Sequence, residues 1–144
     1  MPDLRDIPTC PYCRKEAAFS ATSAHLYRGM DYGAVWECRP CEAWVGCHPQ
    51  GTPLGRLADK ALRQAKMAAH AAFDPFWKAK MRRDGWPQKR ARNAGYEWLA
   101  GQMGIAREDC HIGMFDEAQC RRVVEICEAV RNRRTHDRNP EAAA

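Results

Sequence analysis

The apolar residues follow one pattern before residue 52 and another after it. In the first part they form short runs rich in aromatic and β-branched residues, which are typical of strands. These runs predict a hairpin from residues 17–26 and 33–37, with a short third strand at residues 43–45. Residues 49–55 contain two prolines and two glycines and predict a linker. Beyond it, apolar residues recur at three- and four-residue steps, the period of an amphipathic helix.

The helical part begins with a stripe of leucine and alanine residues. Asp59 stands where it would cap a first helix, which we expect to end near Phe73. Asp74 and Pro75 then have the residue types of an N-cap and a first helical position, so they predict the start of a short second helix.

Two further helices follow. One is predicted at residues 88–103, with Gly104 as its C-terminal stop. The last should begin at Asp116, because Gln119 three residues later completes a capping-box-like pair. Residues 132–144 are polar, and we expect this tail to be disordered.

The predicted fold class is therefore α+β. An N-terminal β-hairpin domain, residues 1–52, is expected to pack on a C-terminal bundle of about four helices in domain 53–131.

Four cysteines give this β-hairpin domain the two knuckles of a zinc ribbon. Cys10 and Cys13 form one C-x-x-C step, and Cys38 and Cys41 form another. Each step presents two thiolates from one tight loop, and two steps brought together by a hairpin complete a tetrahedral zinc site. The predicted cofactor is one structural Zn²⁺ with no open position for water or substrate. A redox dithiol is disfavoured because it needs only one such step.

A second metal site is an open alternative. Cys47 with His48, and Cys110 with His111, together offer a possible set of two sulfur and two nitrogen ligands. Adjacent residues in extended chain point to opposite faces, so both members of a pair rarely bind one ion. Structural roles are therefore favoured for all four.

The charge of the chain is concentrated in its middle. The formal net charge is −1 for residues 1–52, +8 for residues 53–93 and −2 for residues 94–144. No apolar run approaches about 18 residues, and the N-terminus lacks the features of a signal peptide, so we expect a cytoplasmic protein without a membrane partner. No catalytic motif or phosphate-binding glycine loop is present, so we also expect no enzymatic activity and no small-molecule substrate.

Basic and aromatic residues alternate in the middle segment. Cations attract phosphates and rings stack on bases, so this mixture is typical of a nucleic-acid-binding surface. A solvated helix face with core aromatics is the simpler alternative. The candidate contact residues are Arg56, Lys60, Arg63, Trp77, Lys78, Lys80, Arg82, Arg83, Trp86, Lys89, Arg90 and Arg92.

Several longer strings add a resemblance. The two knuckles, residues 45–49, residues 69–75 (Ala-His-Ala-Ala-Phe-Asp-Pro) and residues 110–116 together resemble the zinc-finger-containing domain family of small phage and prophage proteins. The resemblance implies a zinc site at the four knuckle cysteines, a ribbon followed by helices, and a phage protein acting in a bacterial host cell. It implies no activity.

Two functions are compatible with these features. The first is nucleic-acid binding, to DNA or RNA, mainly through backbone phosphates. The alternative is a protein-interaction module, such as a phage accessory or anti-defence factor, that binds an acidic surface of a host protein.

Overall fold

The computed structural model describes residues 7–138. They form two compact units that divide after Arg63. None of the helices in the described part of the chain is long and apolar enough to span a bilayer.

The first unit contains a three-stranded antiparallel sheet. Its strands are β1 (Ala18–Ser20), β2 (Val35–Cys38) and β3 (Ala43–Gly46), in the order β1-β2-β3. Trp36 pairs with Phe19 on one side and with Val45 on the other. All four residues of β2 are buried, as expected for the central strand of a small sheet.

The first strand is shorter than the predicted 17–26 because side chains organise the following loop. The hydroxyl of Ser23, itself buried, accepts a hydrogen bond from the backbone N–H of Tyr32 at 2.8 Å. The Asp31 carboxylate accepts from the N–H groups of Ser23 and Gly33. Such local side-chain acceptors compete with strand pairing.

Residues 53–58, which the sequence assigns to the helical domain, belong to the first unit. Pro53 forms a β-bridge with Cys47, and Ala58 forms one with Trp44. Leu57 is only 1% exposed and lies in a core cluster with Trp36 and the cysteines of the two C-x-x-C steps. The Trp36 indole N–H also donates to the Gly51 carbonyl. This segment is therefore a structural part of the sheet unit.

The second unit is built from three helices. They are α1 (Lys60–Asp84), which begins before the division, α2 (Gln88–Met103) and α3 (Glu117–Arg138). Two single 3₁₀ turns, Arg107–Asp109 and Ile112–Met114, connect α2 to α3. The largest fully buried side chains of its core belong to Phe73, Leu99, Ile112, Phe115 and Val123.

The prediction of about four helices was wrong, because α1 continues through Pro75. Phe73 and Trp77 are both buried and lie four residues apart, so one apolar face spans the proline. Because Pro75 has no backbone N–H, the Ala71 carbonyl receives no helical hydrogen bond from it. Both residues are exposed, so water can reach this carbonyl. Asp74 does not cap a helix: its carboxylate accepts a hydrogen bond from the Trp77 indole at 2.9 Å.

Helices α1 and α2 approach closely at Gly95. A Cβ atom there would lie 3.1 Å from the Phe73 ring and 3.3 Å from Cβ of Trp77. Glycine at this position lets the two backbones come together over the aromatic core of the unit.

Three of the predicted helix boundaries are confirmed. The Asp59 carboxylate accepts from the N–H of Leu62, and Gly104 has the left-handed conformation with φ of 70°. Asp116 and Gln119 exchange both capping-box hydrogen bonds. Helix α3 runs to Arg138, into the tail for which the sequence predicts disorder, and residues 139–144 lie outside the described residues.

Candidate metal centre and basic surface

The strand order brings the two C-x-x-C steps together. Cys10 and Cys13 lie in the loop before β1, whereas Cys38 ends β2 and Cys41 lies in the turn to β3. Cys10 and Cys38 are buried, and the other two are half-buried. All four belong to or pack against the apolar cluster around Trp36 and Leu57.

The geometry of the four sulfur atoms fits a tetrahedral metal site. All of them lie within 4.8 Å of one another, and the Sγ atoms of Cys13 and Cys38 are 3.7 Å apart. In a zinc tetrathiolate with Zn–S bonds of about 2.3 Å, neighbouring sulfurs are about 3.8 Å apart. Among the residues that the structure describes, no other group of three or more potential metal ligands comes together in this way.

A family model described as a zinc-finger-containing domain matches residues 6–130. The chain belongs to this zinc-finger-containing domain family. Together with the sulfur geometry, membership assigns one structural zinc site to Cys10, Cys13, Cys38 and Cys41. No curated protein and no solved structure has significant similarity to the chain.

The backbone of each zinc-finger knuckle ends in the same unusual conformation. Arg14 follows Cys13 with a φ of 64°, and Glu42 follows Cys41 with a φ of 52°. The Arg14 N–H donates to the Cys10 carbonyl, and the Glu42 N–H donates to the Arg39 carbonyl. Left-handed backbone is unfavourable for residues other than glycine. The zinc-finger loops are therefore tight turns, and neither residue type signals them in the sequence.

The thiols differ in acidity because their surroundings differ. A hydrogen bond from the Lys15 backbone N–H, with smaller contributions from neighbouring thiols, lowers the pKa of Cys13 from 9.0 to about 7. Removal from solvent, followed by the proximity of the other three sulfurs, raises the pKa of Cys41 to about 12. Since a zinc ligand must be a thiolate, the ion would replace protons on the more basic thiols.

A buried carboxylate stands next to the zinc finger on β2. Glu37 is 3% exposed, and its oxygens accept hydrogen bonds from Arg39 at 2.8 Å and pair with His25. Burial acts to raise the pKa of Glu37, but the Arg39 and His25 interactions together outweigh it and lower the pKa. Glu37 thereby ties the loop after β1 to the second knuckle.

The cysteine–histidine pairs lie in different settings. Cys110 is fully buried and His111 is exposed, which is consistent with neighbours that face opposite sides. Burial raises the pKa of both Cys47 and Cys110, so each favours a neutral thiol. These properties favour structural roles for the two cysteines.

Three of the candidate nucleic-acid contacts lie in the first unit. The guanidinium of Arg63 stacks on the Trp44 ring, with Cζ 3.6 Å from the ring centroid, and donates to the Ala58 carbonyl at 2.6 Å. Lys60 is exposed, and Arg56 is half-buried. Arg63 is thus held by intramolecular contacts of the sheet unit.

The remaining candidates lie in the second unit, and Trp77 differs from the others. Trp77 is 7% exposed, with its indole N–H bonded to Asp74, so its ring cannot stack on a base. By contrast, Lys80 and Arg90 both lie over the ring of half-buried Trp86, at 4.4 and 3.8 Å from its centroid. The exposed members of the set are Lys78, Arg82, Arg83, Lys89, Arg90 and Arg92.

We call Lys80, Trp86, Lys89, Arg90 and Arg92 the basic–aromatic surface. It adjoins a cleft of about 890 Å³ that Lys89, Arg90 and Arg92 line together with Tyr96, Arg107 and His111. Arg107 was missed by the sequence analysis and His111 was considered only as a possible metal ligand, because both lie outside the basic segment, in a part of the chain with net negative charge. Only the fold brings them to the N-terminal half of α2.

Proposed function

We propose that this zinc-finger protein binds nucleic acid, mainly through backbone phosphates, at the basic–aromatic surface. The observation that carries the proposal is the grouping of Lys80 and Arg90 around Trp86. Cations held over a half-exposed ring combine phosphate attraction with an aromatic surface at the same place.

The local charge supports the same proposal. Residues 64–93 carry eight basic and two acidic side chains, a net charge of +6 within the second unit. Clustered positive charge supplies the sequence-independent part of nucleic-acid affinity, because bound phosphates release counterions. The zinc ion has a structural role in this proposal, and the protein performs no catalysis.

The proposal is tested by the salt dependence of binding. We expect fluorescently labelled single-stranded DNA or RNA to bind with an affinity whose logarithm falls linearly with the logarithm of salt concentration. In the double variant Lys89→Gln/Arg90→Gln, the slope should become shallower by about 0.7 to 1.4, as expected for the loss of one or two phosphate contacts on a single strand.

The matched control is Arg121→Gln/Arg122→Gln on α3. It removes the same charge from two exposed arginines that already pair with Glu117 and Glu125 on their own helix. The control should retain nearly the wild-type slope. Absence of binding at about 50 mM salt, or an equal change in both double variants, would contradict a specific surface.

A second candidate, protein interaction, is favoured by exposed aromatic residues of the first unit. Tyr27 contacts both Tyr32 and Trp44 edge-on, with centroids 5.0 and 6.0 Å apart. Tyr32 is 71% exposed and Met30 is 59% exposed. Tyr, Trp and Met are enriched at protein interfaces. A stoichiometric partner from nuclease-treated host lysate that is lost in Tyr32→Ser would support this function, whereas capture that depends on nucleic acid would contradict it.

A further inference from the structure

The cleft beside the basic–aromatic surface has a one-sided charge. Five of its nine lining residues are basic, and none is acidic. The basic residues come from two segments: Lys89, Arg90 and Arg92 from the start of α2, and Arg107 and His111 from the connection that follows it, in the first 3₁₀ turn and just before the second. A cavity of this size is within the range of small-ligand sites, about 300–1,000 Å³.

A buried ring gathers three of these side chains. Tyr96 is 4% exposed, and the guanidinium groups of Arg92 and Arg107 lie 5.6 and 5.2 Å from its ring centroid. The His111 ring lies at 6.0 Å. The negative face of an aromatic ring attracts cations, and here the Tyr96 ring holds the two guanidinium groups near one another.

Arg107 is fixed by specific contacts. Its terminal nitrogens donate to the Asn93 side chain at 2.7 Å and to the Cys110 carbonyl at 3.3 Å. Its Nε is buried and has no acceptor among the described residues. A ligand oxygen that drew the guanidinium towards the cleft would supply an acceptor for this donor.

The ion pairs between described residues include none of the five basic side chains of the cleft. At the start of α2, the N-cap residue Pro87 makes no side-chain cap hydrogen bond, and the first turn contains no acidic residue. The helix dipole therefore adds to the positive potential of the side chains.

We propose that this cleft is a phosphomonoester site that holds the terminal phosphate of a nucleic-acid strand. The proposal rests on the nucleic-acid-binding function above. A terminal phosphate carries up to two negative charges and three strong acceptor oxygens, more than an internal phosphodiester offers, and it matches a site with five converging basic groups. Arg90 lines the cleft and also stacks on Trp86, so the strand beyond the phosphate would continue over the basic–aromatic surface.

The test compares strands that differ only at their ends. Twelve-nucleotide strands with a 5′-phosphate, a 3′-phosphate or hydroxyl groups at both ends are titrated into the full-length zinc-loaded protein. We expect one of the phosphorylated strands to bind about tenfold more tightly than the hydroxyl strand. Arg107→Gln and His111→Gln should each reduce that ratio towards one while leaving the affinity for the hydroxyl strand nearly unchanged.

The two variants guard against misfolding as an explanation. Arg107 has structural contacts, whereas His111 is exposed and its ring lies tilted against that of Tyr96, so His111→Gln should fold normally by circular dichroism. Equal affinity for all three strands, or a preference that persists in both variants, would overturn the terminal-phosphate site but leave the proposed function intact. Binding of none of the strands would overturn both.

A nucleoside monophosphate and inorganic phosphate distinguish the source of the phosphate group. If the strand assignment is correct, both should compete only weakly with the phosphorylated strand. Competition by the free nucleotide at concentrations equal to those of the strand would overturn it in favour of a nucleotide site.

Discussion

Two residues next to zinc ligands are held in a conformation that their side chains disfavour. Arg14 and Glu42 both have positive φ, and each directly follows the second cysteine of a C-x-x-C step. For residues with a Cβ atom, left-handed backbone costs about 1–2 kcal/mol. Closing the knuckle around the metal evidently outweighs that cost.

We predict that Arg14→Gly and Glu42→Gly each stabilise the zinc-loaded protein by about 0.5–1 kcal/mol. Glycine relieves the steric cost, although part of the gain is offset by the greater freedom of glycine in the unfolded chain. Denaturant unfolding in excess zinc measures the change. Lys15→Gly is the control, because Lys15 does not have a positive φ, and it should destabilise the protein. Destabilisation by all three glycines would contradict the explanation.

The two tryptophans of the basic segment illustrate how far single residues can be assigned from sequence. Trp77 and Trp86 both have basic neighbours, yet Trp77 is buried and Trp86 is only half-buried. Trp77 lies four residues after Phe73, on the apolar face of α1, so the helical period of the sequence was enough to predict that Trp77 is buried. The stacking of Arg63 on Trp44 could not be predicted in this way, because it depends on a contact between residues far apart in sequence.

At the scale of elements, α1 is unusual because a proline lies inside it. Pro75 cannot donate a hydrogen bond to the carbonyl of Ala71, and proline in a helix interior is about 3 kcal/mol less favourable than alanine. The packing of Phe73 and Trp77 on the two sides of the proline holds the helix together.

Replacing this proline should stabilise the helix. We predict that Pro75→Ala raises the free energy of unfolding by about 2 kcal/mol, since it restores the backbone donor within a helix that is already formed. The matched control is Pro87→Ala, at the N-cap of α2, where no helical hydrogen bond is lost and a small change is expected. Thermal unfolding of both variants provides the comparison. If the two substitutions had equal effects on the free energy of unfolding, Pro75 would not destabilise α1.

Elements specified by local interactions were predictable. The Asp59 cap, the Gly104 stop and the Asp116–Gln119 capping box each involve residues no more than four positions apart. The continuity of α1 and the assignment of residues 53–58 to the sheet unit depend on burial and on bridges to distant strands. Local propensity and turn residues suggested a helix break and a linker at these two places. Tertiary packing determines the structure there instead.

At the scale of the whole molecule, the two units are stabilised by different means. The core of the first unit is a small cluster around Trp36 and Leu57 that includes the zinc-ligand cysteines. Domains of about 60 residues bury only about 60% of the surface that the unfolded chain exposes, so their stability is marginal and a bound metal adds to it. The second unit has a larger apolar core, with Phe73, Leu99 and Phe115 almost fully buried.

We therefore predict that removal of zinc unfolds the first unit and leaves the helical core of the second unit folded. Binding of a structural zinc ion is coupled to folding, so without the metal four thiols in a small core no longer stabilise the sheet. Hydrogen–deuterium exchange after chelation should show loss of protection at residues 35–46 and retained protection in α2 and α3. The variant Cys13→Ser should lose zinc and behave in the same way.

Cys47→Ser is the control for that experiment. Cys47 is a half-buried cysteine that packs against the same cluster but lies outside the four-sulfur group, so this variant should retain one zinc ion per chain. Retained protection of β2 and β3 after complete removal of zinc would show that the apolar cluster is sufficient without the metal. Loss of protection throughout α2 and α3 would show instead that the second unit requires the folded zinc finger, and that its own core does not stabilise it.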